Sequence, residues 1–164
     1  MKKLLFIIYI GISISGFSQK NLEKMLKHQN RESIPYISVD SLKNLKENFI
    51  LLDSREEREF KTSHLKDAIY VGFNFFNLDS VKQNLPNKDS KIIVYCALGV
   101  RSEAIAEKLK EAGYKNVFNL YGGIFEWKNN DYEVVNSNEK VTDSIHIFSK
   151  KWSKWLKKGI KVYE

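Results

Sequence analysis

Four short apolar runs of strand length recur through the middle of the chain, and the segments between them read as helices. Asn48 to Ser54, Ala68 to Phe73, Lys91 to Ala97 and Asn116 to Gly122 are rich in Ile, Val, Leu, Tyr and Phe, the composition that suits a pleated, buried surface. Between and before them lie Ser41 to Glu47 behind a candidate cap at Asp40, Arg55 to Thr62, Asp79 to Leu85, and Ser102 to Ala112. Strands alternating with short helices imply an α/β fold, a mainly parallel central sheet covered by helices on both faces. In such sheets a ligand sits beyond the carboxyl ends of the strands.

The last of these helices is the clearest. Ala104, Ile105, Leu109 and Ala112 are expected on its inward face, Glu103 and Glu107 precede Lys108 and Lys110, and Gly113 offers a left-handed C-cap. No internal repeat is present, and Pro35 and Pro86 fall between patterned segments. With 43% apolar and 13% aromatic residues in 164, the chain can fill one core.

The first residues have another layout. Lys2 and Lys3 precede the apolar stretch Leu4 to Phe17, which ends among Gly16, Phe17 and Ser18, as in a secretory signal peptide. That run falls short of the roughly 18 to 20 residues a spanning helix needs. Cleavage after Ser18 is therefore expected, with an uncleaved anchor as the alternative, and the product would be exported to the periplasm or secreted. Losing Lys2 and Lys3 lowers the formal charge from +7 to +5. A basic surface of this kind serves as a solvated lysine coat or attracts anionic molecules, and nothing in the pattern indicates nucleic acid.

Cys96 is the only cysteine. In a chain sent to an oxidising compartment it is an apolar filler, an intermolecular linker or a reactive thiol. Its context bears on the third. It stands at the carboxyl end of the most continuous apolar run, and Ala97, Leu98, Gly99, Val100 and Arg101 lead directly into a helix near Ser102. Unpartnered N–H groups and the positive end of the dipole at a helix start favour a thiolate, and Gly99 lets the loop curl without a Cβ clash. If the loop amides point inward, the apolar side chains of Ala97, Leu98 and Val100 face the mouth, where a dianion such as thiosulfate is costly to desolvate.

The string Cys-Ala-Leu-Gly-Val-Arg-Ser resembles the active-site loop of the rhodanese family. Upstream, Asp53, Arg55, Glu59, Phe60, His64, Leu65 and Ala68 fall on positions of that family's first signature, and downstream Tyr121, Gly122, Gly123 and Trp127 resemble its closing motif. Ser63 and Asp67 stand where the family usually has glycine. The resemblance runs from Ile37 to Val135 and, with the leader read from the first residues, segments the chain into a leader over 1–18, a lead-in over 19–36, a rhodanese-like domain over 37–135 and an extension over 136–164. It also implies a sulfurtransferase in which Cys96 takes sulfane sulfur as a persulfide and passes it to cyanide or a thiol. Ala97 to Ser102 would cradle the sulfur, Arg101 would position the loop, and no metal or organic cofactor would be needed. The small-molecule donor and acceptor are the implied partners, with an exported protein thiol as another acceptor.

Other readings remain beside this one. A Cys-to-Arg loop with one more residue serves phosphatases and admits a tetrahedral oxyanion, whereas four intervening residues fit one sulfur atom; rhodanese-like domains also serve as partner-specific sulfur carriers or binding modules. Asp53, paired in the reading with Arg55 as a support, either reaches the loop rim or caps the helix that follows. Arg55 and Glu59, four apart, are expected to form a local ion pair. His28, His64 and His146 lack metal-ligand spacing. From Val141 to Lys158, Ile145, Phe148, Trp152, Trp155 and Leu156 recur at helical intervals among lysines. They are read as an amphipathic C-terminal helix docked on the domain, with a lid over the Cys96 loop or contact with a membrane surface as sharper versions.

Overall fold

The computed structural model describes residues 20–163; the leader peptide expected over residues 1–18 lies outside them. The part up to Arg31 and the part from Glu32 onward form separate compact units. In the first, residues 20–29 are helical and carry an exposed Glu23–Lys27 pair at 2.8 Å. The second holds everything that follows.

Its centre is a five-stranded sheet, with β1 (Tyr36–Ile37), β2 (Ile50–Asp53), β3 (Ile69–Tyr70), β4 (Lys91–Tyr95) and β5 (Asn116–Leu120) in the order β1-β5-β4-β2-β3. Every neighbouring pair is parallel, with Ile93 of β4 opposite Leu51 of β2 and Phe118 of β5. The central strand β4 is apolar without alternation because both of its faces are covered: Ile92, Ile93, Val94 and Tyr95 are fully buried. On one face Leu52, Ile92, Val94 and Val117 pack with Ile105, Ala106 and Leu109 and with Val81 and Leu85.

Five α-helices connect and flank the strands: α1 (Val39–Lys43), α2 (Glu57–Thr62), α3 (Leu78–Asn84), α4 (Arg101–Glu111) and α5 (Gly123–Asn129). Each start has a local cause. Ser38 caps α1 and Asn77 caps α3 by accepting the N–H three residues on, while Glu56 and Glu59 form a reciprocal capping box on α2. Asp40 thus lies inside α1 and does not cap it. That helix stops at Lys43, four residues before the expected end, where Asn44 leaves helical backbone at ψ 3° and its side-chain amide donates to the Asp40 carbonyl. In α4 the buried alanine is Ala106, whereas Ala104 is only half covered. Gly113, at φ 92°, supplies the expected left-handed exit.

Two expectations fail in instructive ways. The run Ala68 to Phe73 contributes only the two exposed residues of β3, since β3 is the sheet edge and has a neighbour on one side only. The larger departure is at the carboxyl end. In place of one amphipathic helix, β6 (Val134–Val135) pairs antiparallel with β7 (Val141–Thr142), β8 (Ser144–His146) pairs parallel with β9 (Ile160–Val162), and a 3-10 helix covers Lys150–Trp155. Ile145, His146 and Ile147 are all buried in extended chain, and isoleucine's branched Cβ suits that backbone. Ser149 ends it by accepting the Lys151 N–H, and Asn129 clamps the far side by donating to Trp155 O and accepting from Lys157 N. Gly159 reverses the chain at φ 93°, where a Cβ would lie 2.8 Å from the Asp143 carbonyl. No α-helix forms over Val141 to Lys158, the 3-10 helix at Lys150–Trp155 being the helical turn found there.

Candidate active site

Strand β4 ends at Tyr95, and the chain then curls through Cys96 to Val100 before α4 starts at Arg101. The curl needs Gly99, which sits at φ 111°. It brings the Gly99 N–H within 3.1 Å of the Cys96 Sγ and the Ser102 hydroxyl within 3.5 Å. The thiol is buried. Burial pushes its pKa up, but the Arg101 guanidinium, the Ser102 hydroxyl and the Ser102 and Gly99 amides together outweigh burial and hold it below the ordinary thiol value. Of these opposing causes the Arg101 charge is the largest, so Arg101 tunes the thiol electrostatically as well as shaping the loop.

Arg101 is itself held. Its two terminal nitrogens donate to the two Glu59 carboxylate oxygens at 2.7 and 2.8 Å, a bidentate pair. Burial raises the Glu59 pKa, yet the hydrogen bonds and charge of Arg101, the charge of Arg55 and the Glu56 N–H hold the carboxyl below its usual range. The expected Arg55–Glu59 pair is therefore not the one formed. They stand four positions apart, but Arg55 lies ahead of the α2 start at Glu57 and turns back to the strand it has just left.

There Arg55 meets Asp53. Both side chains are fully buried, with contacts of 2.6 to 3.1 Å, and Arg55 also donates to the Ser63 carbonyl at 2.6 Å. The guanidinium lies 5.6 Å from the Tyr95 ring centre, and the Tyr95 hydroxyl accepts the Leu65 N–H. Asp53 accepts from Arg55 N and neither caps α2 nor stands on the loop rim. Asp53 and Arg55 thus brace the strand that carries Cys96, one residue below it.

The closing Gly-Gly motif has a steric reason. A Cβ on Gly123 would come within 2.2 Å of the Cys96 carbonyl, so only glycine lets the start of α5 press against the loop. Ile124 N and Phe125 N then donate to the carbonyls of Cys96 and Ala97 at 2.9 and 3.2 Å. The Cys96 and Ala97 carbonyls are thus taken up from behind, while the Gly99 N–H faces the sulfur. Trp127 anchors the same helix through its indole N–H to Glu133 O. Asp67 adopts φ 62° where a glycine is usual, a conformation that aspartate tolerates better than most residues, and His64 is structural, stacked on Phe60 at 3.9 Å.

Sequence reasoning missed two contributors. Asn119, buried in β5, accepts the Ser102 hydroxyl at 2.7 Å and donates to Gly99 O at 2.8 Å, tying the loop at two points. Its signal was a polar residue inside an apolar strand run. Ser54 donates twice to the Tyr95 carbonyl at 2.9 Å just below the thiol. Phe148 and Trp152, read as the face of a docked helix with a lid over the Cys96 loop as one version, lie outside any α-helix and line a cavity of about 140 Å³ together with Cys96, Ala97, Leu98, Val100, Arg101 and Phe125. Ala97, Leu98 and Val100 thus face the cavity as the inward-amide argument requires.

Comparison with known proteins agrees with this geometry. Residues 38–130 match the family described as the rhodanese-like domain, and the chain belongs to that family. It is 38% identical over 93 residues to the adenylyltransferase and sulfurtransferase UBA4 of Candida albicans, covering 54% of this chain and 21% of that protein. It is 29% identical over 83 residues to the thiosulfate sulfurtransferase GlpE of Coxiella burnetii, covering 51% and 75%. The tRNA uridine(34) hydroxylase of Buchnera aphidicola is 30% identical over 132 residues, 76% of this chain and 41% of that one. The chain thus spans about one fifth and two fifths of the UBA4 and hydroxylase lengths. In fold it resembles a thiosulfate sulfurtransferase of Pseudomonas aeruginosa, with a TM-score of 0.60 and 19% identity over 85% of this chain and 26% of that one. A rhodanese-related protein of Thermoplasma volcanium superposes with a TM-score of 0.51 and 28% identity over 62% and 97%.

Proposed function

We propose that this protein is a sulfurtransferase that carries sulfane sulfur on Cys96 as a persulfide. The observation that supports this most is the buried Cys96 Sγ, set 3.1 Å from an inward amide and kept acidic by Arg101. With thiosulfate as donor, the thiolate attacks the outer sulfur, the Sγ–S bond forms, the S–S bond of thiosulfate breaks, and sulfite leaves with the electron pair. The product is the Cys96 persulfide anion. Fixed amides and a helix start stabilise that charge without reorganising. An acceptor, cyanide or a thiol, then attacks the outer sulfur, giving thiocyanate or a persulfide and returning the Cys96 thiolate.

The likeness to GlpE supports the donor class, and the lysine-flanked apolar stretch at the amino terminus supports export to the periplasm or beyond. A putative sulfur carrier protein of Bacillus subtilis, 29% identical over 125 residues, supports a second version in which the acceptor is one protein thiol and turnover with small acceptors is slow. The test is the intact mass of the full chain after exposure to thiosulfate or a hydropersulfide. A gain of one sulfur, absent in Cys96→Ser and removed by cyanide, is expected. A protein that stays unloaded with every donor is not a sulfurtransferase.

A further inference from the structure

The match to the rhodanese-like domain ends at residue 130, yet Phe148 and Trp152 complete the cavity over Cys96. Their effect is chemical as well as spatial. Arg101 is the only charged residue among the cavity's lining, and its charge is already engaged. Glu59 takes both of its terminal nitrogens, and Phe148 covers its guanidinium face at 4.8 Å. An anionic donor entering this mouth would shed water against a lining whose one charge is already engaged, a cost that neutral donors avoid. Three aromatic rings, Phe125, Phe148 and Trp152, line the remaining walls with Ala97, Leu98 and Val100.

The geometry points to Phe148 and Trp152 as residues that select the sulfur donor, favouring small hydropersulfides with an uncharged apolar group of about benzene size over anionic donors such as thiosulfate. This rests on the sulfur-transfer reading above and names its substrate class. The size follows from the volume: the cavity holds about 140 Å³, and an apolar protein cavity of about 150 Å³ takes up benzene. In the step itself the Cys96 thiolate attacks the terminal sulfur of R–S–SH. The Sγ–S bond forms, the donor S–S bond breaks, and its electron pair goes to R–S⁻. That thiolate takes the proton from the transferred sulfur, leaving R–SH and the Cys96 persulfide anion.

Benzyl hydropersulfide and glutathione hydropersulfide share the reacting group and differ in charge and bulk, so they isolate the wall from intrinsic reactivity. Single-turnover loading of the full chain, followed by mass, should favour the benzyl donor by about tenfold or more in second-order rate constant, the scale of one apolar contact in a specificity pocket. Phe148→Lys and Trp152→Lys should each shrink that preference by bringing a cation and water to the mouth. Trp152 lies in a 3-10 helix with no buried residue, so Trp152→Lys tests the wall even if Phe148→Lys fails to fold. Equal loading by both donors in the unmodified protein, or an unchanged preference in the folded variants, overturns the assignment. Failure of Cys96 to load with either donor overturns the sulfur-transfer reading instead.

Discussion

The two sides of the Cys96 cavity are built on opposite terms. On the loop side the polar groups are largely buried and bound into two hydrogen-bonded sets, one from Cys96 through Ser102 and Asn119 to Gly99, the other from Arg101 to Glu59 and the Glu56 amide. On the facing side Phe148 is 44% exposed and Trp152 belongs to a short 3-10 helix. A closed polar network fails as a unit, because each member removed leaves a partner desolvated and unpaired. An aromatic wall can change one ring at a time. The chemistry is therefore fixed by the side that cannot vary in pieces, and donor choice can drift on the side that can.

The largest effect expected on the loop side is chemical. Cys96→Ser should abolish sulfur loading, measured by mass, while the far-ultraviolet circular dichroism stays that of the parent, because the swap changes little volume. A loaded serine variant would mean that the sulfur resides elsewhere.

Removing residues 141–164 tests whether the facing side is a mere appendage. The segment buries Ile145, Ile147 and Leu156 at 2% exposure or less, and burial of each such side chain contributes about 1.5 to 3 kcal/mol before ordering costs. A loss of several kcal/mol in denaturant unfolding is expected. Unchanged stability would show that the segment does not pack as described.

The Arg101–Glu59 pair comes next, with an effect on both stability and titration. Glu59→Gln leaves a mostly buried guanidinium short of its counter-charge, which costs about 3 kcal/mol. Because the Glu59 carboxyl is held below its usual pKa, the pair's contribution is full above the ordinary carboxylate range and lost as pH falls through the folded value. The stability gap between parent and variant should accordingly narrow below about pH 4. The thiol reports the same pair from the other end. Alkylation of Cys96 against pH should show a midpoint below the ordinary thiol value of about 8.5. Arg101→Ala, which removes the largest influence opposing burial, should move it upward. A midpoint already at the ordinary value in the parent would remove the activated-thiolate argument.

What the sequence disclosed follows the same division between the two sides. The loop from Cys96 to Ser102 was legible because its geometry is set locally, by one glycine, one strand end and one helix start. The pairing of Glu59 was not, since i, i+4 spacing offered Arg55 as a nearer partner and only the crossing of β4 beside β2 brings Arg101 to it. Asn119 was hidden in the same way, its partners being 17 and 20 residues upstream. The carboxyl-terminal segment misled because aromatic residues among lysines imitate an amphipathic helix. The buried isoleucines of β8 and its flank and the turn at Gly159 decide for extended chain, and their weight depends on a tertiary surface that periodicity does not contain.

The smallest effect expected is on the stability of Phe148→Ala, and it decides whether the wall is separable from the fold. Phe148 keeps 44% of its surface in water, so truncation forfeits only part of the burial a core phenylalanine provides. Its one directed interaction is the face-on contact with the Arg101 guanidinium at 4.8 Å, and such contacts contribute about 0.5 to 1 kcal/mol at exposed sites. Arg101 retains both hydrogen bonds to Glu59 when the ring is gone, so no buried group loses its partner and no cavity is sealed off from solvent. The loss should amount to about 1 kcal/mol, a drop of roughly 2 to 4 °C in Tm for a domain of this size. A fall of the size of a core phenylalanine deletion, about 3 to 5 kcal/mol, would make Phe148 part of the core, and the two sides of the cavity could then no longer vary independently.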